Sequence, residues 1–521
     1  MKIERTKNAT RNIIFGVILK IYQIFVPFVI RTAIIYLLGV EYLGLNSLFT
    51  SVLQVLNLAE LGVGSAMVFS MYKPIAEDDT NTICALMRLY KIYYRVIGSV
   101  VLGLGLILLP FMPKLINGDV PPDMNVYVLY VMNLTATVLS YWLFAYKNCI
   151  LQAHQRVDIT SKVTLFTDTV KYIFQFAVLA IFHNYYLFVI VVLFSQVVTN
   201  ITIAIMSNKM YTQYQAKGSL PKATIKQINR RIRDLFTSKL GSVIVNSSDT
   251  IVISAFLGLT VLAIYQNYFY LITAVTGFIS IVFNACTAGV GNSLIVDTKE
   301  KCYKDFRTFT FIIVWIAGVC TICFLCLFQP FMELWVGKNL MVEFPIVICL
   351  CIYFFVMEIN TLLNLYKDAA GMWHEDRFRP LVTALTNLTM NLIMVQFWGL
   401  YGITLSTVVS TLIVGMPWLL HNLFMVIFER KNRTEYVLGL IRYTIIACIT
   451  AVITYLLCTF IQLSAIPTFI VRVIICVVVP NIIFLTVYRK KSEFRESIIL
   501  IDRMTKGKLK LKKLIRQDKK Y

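Results

Sequence analysis

Eight ionisable side chains stand inside long apolar runs of this sequence: Lys20, Arg31, Glu60, Asp168, Lys171, Asp249, Glu358 and Arg472. A charge at the centre of a bilayer costs about 2.5–3.5 kcal/mol on insertion scales, so a deep one faces an interior cavity or a partner. Eleven residues separate Lys20 from Arg31. On a helix that spacing returns to within about 20° of alignment and sets the two cations about 16 Å apart along one wall. Such a wall suits an anionic substrate; the same pair can also snorkel to opposite interfaces. Asp168 and Lys171 are three apart, close enough to pair, and Lys171 joins the candidate cations for the substrate. Asp249 lies in SVIVNSSDT with Ser242 and Asn246 on roughly its face, a stripe too polar for lipid and suited to a water-lined wall. Asn387 and Asn391 are expected to face inward. Glu60 and Glu358 can bind a coupling cation, carry a proton, or join helices by hydrogen bonds. Arg472, near a span end, reads as a snorkelling anchor. Cys320, Cys323 and Cys326 have metal-like spacing, but they sit in an apolar run with no histidine nearby. Buried packing is the expectation there, and no catalytic group, metal site or cofactor is expected anywhere.

The elements that position these groups follow from composition. Of 521 residues, 58% are hydrophobic and 15% charged, with a mean hydropathy of +0.74. Soluble domains average about 45–50% apolar and about 25% charged. Fourteen apolar runs of about 20 residues, from 13–38 to 468–488, each match a hydrocarbon core about 30 Å thick. A soluble enzyme, a disordered chain and a fibrous protein are excluded, and a transmembrane β-barrel is disfavoured. The fold class is an all-α polytopic membrane protein of about 14 transmembrane helices.

Lys and Arg set the orientation. Alternate polar stretches, beginning with residues 1–12, hold 43 of the 49 basic residues, and the intervening stretches hold two, Lys114 and Lys338. By the positive-inside rule both termini are cytoplasmic. The net charge of +22 therefore needs no nucleic acid. The tail ends in KGKLKLKKLIRQDKK, which reads as a topology anchor or a contact with anionic membrane lipids. Residues 225–236, IKQINRRIRDLF, read as a short basic amphipathic helix at the interface.

An internal echo divides the chain. YKNCILQAHQR at 146–156 and YKDAAGMWHEDR at 366–377 both place His seven residues after a Tyr-Lys pair. Gly62-Val63-Gly64 echoes Gly289-Val290-Gly291. The echoes predict two six-helix lobes of one orientation plus two further helices. The expected units are an N-terminal lobe at 1–206, a cytoplasmic basic connector at 207–239, a C-terminal lobe at 240–440, two further spans at 441–488 and a basic cytoplasmic tail at 489–521. No G-x-x-x-x-G-K-[ST] occurs, so the chain is not its own ATPase. The longest outward loop is about 15 residues, too short to hold the catalytic acids of a membrane polymerase.

The segment RTAIIYLLGVEYLGLNSLFTSVLQVLNLAELGVGSAMVFSMYKPIAEDD, residues 31–79, closely resembles the first-to-second-span region of bacterial polysaccharide flippases. These belong to the multidrug/oligosaccharidyl-lipid/polysaccharide exporter superfamily. LQAHQRVD at 151–158 looks like that family's loop after span 4. The resemblance implies two lobes around a cavity that opens alternately to the two faces. It implies a polyprenyl-pyrophosphate-linked oligosaccharide as cargo, for capsule, O-antigen or related polymers. It further implies Arg31, and then Lys20, as contacts to the pyrophosphate, and a lipid groove at spans 13 and 14. A polysaccharide polymerase and a chain-length regulator are the implied partners. Two other classes stay open: a drug/cation antiporter of the same superfamily, which a cavity richer in cations than acids disfavours, and a membrane enzyme of polysaccharide assembly.

Overall fold

The protein is described here from a computed structural model, which covers residues 5–118, 120–461 and 464–504. The described chain is helical throughout. Its α-helices are α1 (Arg5–Leu37), α2 (Val40–Leu56), α3 (Val63–Ala76), α4 (Thr80–Leu108), α5 (Val126–Trp142), α6 (Asn148–Ala153), α7 (Val157–Phe182), α8 (Tyr185–Met210), α9 (Lys222–Leu257), α10 (Leu259–Val296), α11 (Lys299–Val336), α12 (Phe344–Ala369), α13 (Arg379–Ser410), α14 (Met416–Val426), α15 (Asn432–Thr459), α16 (Ala465–Tyr488) and α17 (Ser492–Met504). Polar caps start several of them. The Asn184 side chain accepts the Leu187 N–H at 3.1 Å, and Asp79 accepts that of Thr82 at 3.0 Å, each satisfying an orphan donor of the first turn.

Twelve helical stretches are long and apolar enough to cross a membrane, and the pair Val126–Trp142 and Ala145–Ala153, bent by 44°, makes a thirteenth. One of the twelve, Arg379–Val426, has 48 residues. Straight, it would be about 72 Å long, more than twice the hydrocarbon thickness. Gly399, at φ 54° and ψ −130°, breaks it. That backbone region suits a residue without Cβ. Divided there, the count matches the fourteen apolar runs.

The chain forms two compact units, residues 1–266 with 380–399 and residues 267–379 with 400–521. In the first unit α7 packs along α1, and α9 packs along α2. In the second unit α12, α16, α15 and α17 pack on α11. Two segments differ from the sequence reading. Residues 225–236 are not a separate interfacial helix but part of the 36-residue α9. No proline interrupts this stretch, and Gly241 serves its packing: a Cβ there would stand 2.2 Å from the Pro380 carbonyl oxygen. The start of the basic tail is also structured. α17 buries Phe494 and Ile498, while Lys304 reaches Glu496 at 2.6 Å. The run KGKLKLKKLIRQDKK lies outside the described residues.

Candidate functional site

α1 presents Ile14, Ile18, Ile21, Phe25 and Val29 as an exposed apolar stripe, the face expected to meet lipid. At 100° per residue, Lys20 and Arg31 lie about 130° round the helix from that stripe, and both are half-buried. The cations therefore turn toward protein. α7 supplies the neighbouring wall, with the Tyr172 ring 6.1 Å from that of Tyr22. Lys171 donates to Asp168 at 2.7 Å, and its ammonium lies 4.1 Å from the centre of the Tyr172 ring. This pair occupies the side of α7 away from its exposed Phe166, Val170 and Ile173. Lys171 is thus neutralised within its own helix.

A second polar surface runs along α9. Asp249 accepts from the Asn391 amide at 2.6 Å. The same amide lies 3.5 Å from the Asn387 carbonyl oxygen, which accepts from Ser248 at 3.3 Å. Asn387 and Asn391 are fully buried. Further along α9, Ser247 contacts Gln54 at 3.4 Å, Thr250 accepts from Gln266 at 3.0 Å, and Ser254 donates to the Leu115 carbonyl at 2.7 Å. Asp249, Asn387 and Asn391, singled out separately in the sequence, meet in one network of the first unit. The close approach at Gly241 is what lets residues 380–399 reach α9. The side chains of Ser242 and Asn246 lie outside the described residues.

Glu60 sits where the second span breaks. A short 3-10 turn, Asn57–Glu60, separates α2 from α3, and Gly62 takes φ 85°. Tyr94 donates to Glu60 Oε1 at 2.6 Å, Tyr141 donates to Oε2 at 3.0 Å, and Tyr90 donates to the Tyr94 hydroxyl at 2.7 Å. Interrupted helices carrying a carboxylate are the usual places where transporters bind ions or substrate. The echo at Gly289-Val290-Gly291 makes no such break, because it lies inside continuous α10. In the second unit Glu358 is 1% exposed. Its Oε1 accepts from Thr276 at 2.8 Å, and its Oε2 has no hydrogen-bond partner among the described residues.

Sequence reading missed two charged clusters at helix ends. Asp158 is fully buried, with Arg156 at 2.9 Å and Lys162 at 3.5 Å. Its N–H donates to the Asn12 side chain at 2.8 Å, and Asn12 in turn donates to the Gln155 carbonyl at 3.0 Å. Asp376 is likewise buried, held by Arg379 at 2.7 Å, by Asn422 at 3.1 Å and by Lys367 at 3.9 Å. Arg379 also reaches Asn364 at 2.9 Å. A signal existed, since both clusters lie within or just after the repeated Tyr-Lys…His segments.

Residues 9–287 match the model of the family described as polysaccharide biosynthesis protein. That is more than half of the chain, and the chain belongs to this polysaccharide biosynthesis protein family. No curated protein gives a significant sequence match. Among solved structures, the lipid II flippase MurJ in an inward closed conformation superposes with TM-score 0.61 at 14% identity, covering 92% of this chain and 99% of that one. An inward-facing multidrug resistance MATE family transporter of the MOP superfamily gives 0.58 at 14% identity over 76% and 93%. A MOP superfamily transporter from Pyrococcus furiosus gives 0.53 at 13% identity over 80% and 94%. At these identities the likeness is one of fold. Family and fold together make the chain a multi-pass membrane protein of polysaccharide biosynthesis.

Proposed function

We propose that this member of the polysaccharide biosynthesis protein family flips polyprenyl-pyrophosphate-linked oligosaccharide units from the inner to the outer leaflet of the cell membrane by alternating access. The reading rests on the α1 cations: Arg31 and Lys20 lie on the side of the helix away from the lipid-facing stripe and are half-buried. A diphosphate cannot cross hydrocarbon unaided, and a protein cation replaces part of its hydration. The prenyl tail can stay in lipid. Both termini face the cytoplasm, two six-span lobes at 1–206 and 240–440 rock about the pathway, and spans 13 and 14 guide the tail. Asp249, Glu60 and Glu358 are the proposed carriers of a coupling ion, and the cargo is handed to a polymerase and chain-length regulator outside.

The test is Arg31→Ala in a strain that depends on this transporter. Surface polysaccharide should be lost while the protein stays in the membrane at near-normal abundance. Arg31→Lys should keep part of the activity, because a point charge still attracts diphosphate but lacks the bidentate fork. Normal export by Arg31→Ala would make the residue a snorkelling anchor and remove the reading. A drug/cation antiporter would instead lose transport of organic cations in Asp249→Asn and tolerate Arg31→Ala.

A further inference from the structure

Three cysteines from three helices converge inside the second unit. Cys326 of α11, Cys458 of α15 and Cys476 of α16 are all buried, and their sulfurs lie within 4.8 Å of one another. The Cys458 and Cys476 sulfurs are 3.9 Å apart. An ion held by three sulfurs at about 2.3 Å in one plane sets neighbouring sulfurs about 4.0 Å apart. The cluster therefore has the dimensions of a trigonal thiolate site before any ion enters it. The sequence motif Cys320, Cys323 and Cys326 could not build this alone, because Cys320 and Cys326, six residues apart, are separated by about 9 Å along the helix and about 120° around it. α15 and α16 supply the other two ligands.

Charge points the same way. Arg472 lies one helical turn before Cys476 on α16, a place where a cation inside a membrane protein needs a counter-charge. Its Nε is buried and makes no hydrogen bond among the described residues. Soft thiolates favour Cu(I) and Zn(II). Zn(II) takes four ligands in structural sites, whereas the sulfurs gathered here are three.

We propose that Cys326, Cys458 and Cys476 bind one Cu(I) ion, with Arg472 as the charge counterpart. Binding releases three protons, one from each thiol. Three thiolates around Cu(I) carry a net charge of −2, half of which Arg472 offsets. Loaded, the ion ties α15 and α16 to α11. This proposal does not depend on the cargo of the transporter.

The experiment uses the full chain in nanodiscs under anaerobic, reducing conditions, with Cu(I) delivered from a chromogenic Cu(I) chelator. The wild type should withdraw one equivalent of Cu(I) per chain, and X-ray absorption should show a shell of three sulfurs. Cys326→Ser, Cys458→Ser and Cys476→Ser should each weaken binding by more than about 100-fold, beyond the range typical of outer-shell changes. Cys448→Ser, at an exposed cysteine, should leave it unchanged. If a ligand variant does not fold, Arg472→Gln tests the site without touching a sulfur and should weaken binding about tenfold, as loss of an outer-shell partner does. A wild type that withdraws no Cu(I), or a shell with fewer than three sulfurs, overturns the site. Zn(II) displacing Cu(I) at equal concentration overturns the choice of ion.

Discussion

After the fourth span, Arg156 and Lys162 close on Asp158; after the tenth, Arg379 and Lys367 close on Asp376. The two turns carry the same Tyr-Lys…His pattern, yet the structure uses it differently in each unit. In the first, His154 is buried against Tyr211 and Tyr214, with ring centres 4.3 and 5.6 Å away. In the second, His374 is exposed and Met372 is buried instead. The acid and base also trade places: Arg156 aligns with Asp376 at the 220-residue offset. A buried carboxylate locked by cations at the end of a span is thus kept in both units, while the residue order around it is not. What the repeat preserves is a charge balance that anchors the loop to its helices.

The largest effect should come from the second turn. Asp376→Ala leaves Arg379, a side chain only 6% exposed, without its carboxylate. Breaking such a buried pair costs about 3–5 kcal/mol, and thermal unfolding of the detergent-solubilised protein should register it. The double variant Asp376→Ala with Arg379→Leu should recover most of the loss, because apolar groups can replace a buried pair at little cost. At the first turn Asp158→Ala should cost less, about 1.5–3 kcal/mol, the range for hydrogen bonds to charged groups. Its cations are 23% and 47% exposed and can turn to water. Equal losses at the two turns would break the comparison.

This contrast also marks what the sequence makes legible. The spans follow from hydropathy alone, because a length of about 20 apolar residues has few other uses. Asp168 and Lys171 are legible as a pair because three residues on one helix fix their distance. Asp249, Asn387 and Asn391 are legible as polar groups that avoid lipid, but not as one network. Their meeting depends on the close helix packing at Gly241, which no spacing in the chain encodes. Tyr94 and Tyr141 lie 34 and 81 residues from Glu60, and their hydroxyls are hidden among the aromatics expected at membrane interfaces. Asp158, Asp376 and Arg379 read as ordinary loop charges, since a positive-inside tally counts charges without asking which are buried. The cysteine cluster is hidden for the same reason, as its ligands come from three helices.

The smallest expected effect comes from His154 of the first turn. Burial of His154 disfavours its charged form and holds its pKa below the ordinary value near 6.5; the hydrogen bond to the Ile150 carbonyl works against this but does not outweigh it. The folded state therefore binds this proton less readily than the unfolded chain does. Any group with a depressed folded pKa of this kind favours unfolding once the pH falls below its unfolded value. The contribution of His154 should be fully favourable above about pH 6.5 and decline on acidification below it. Thermal unfolding measured from pH 7.5 down to pH 5 should show the decline in the wild type. His154→Phe should flatten that part of the curve, because the phenyl ring keeps the contacts with Tyr211 and Tyr214 and has no proton to bind. An undiminished decline in His154→Phe would mean that burial of His154 has no energetic consequence.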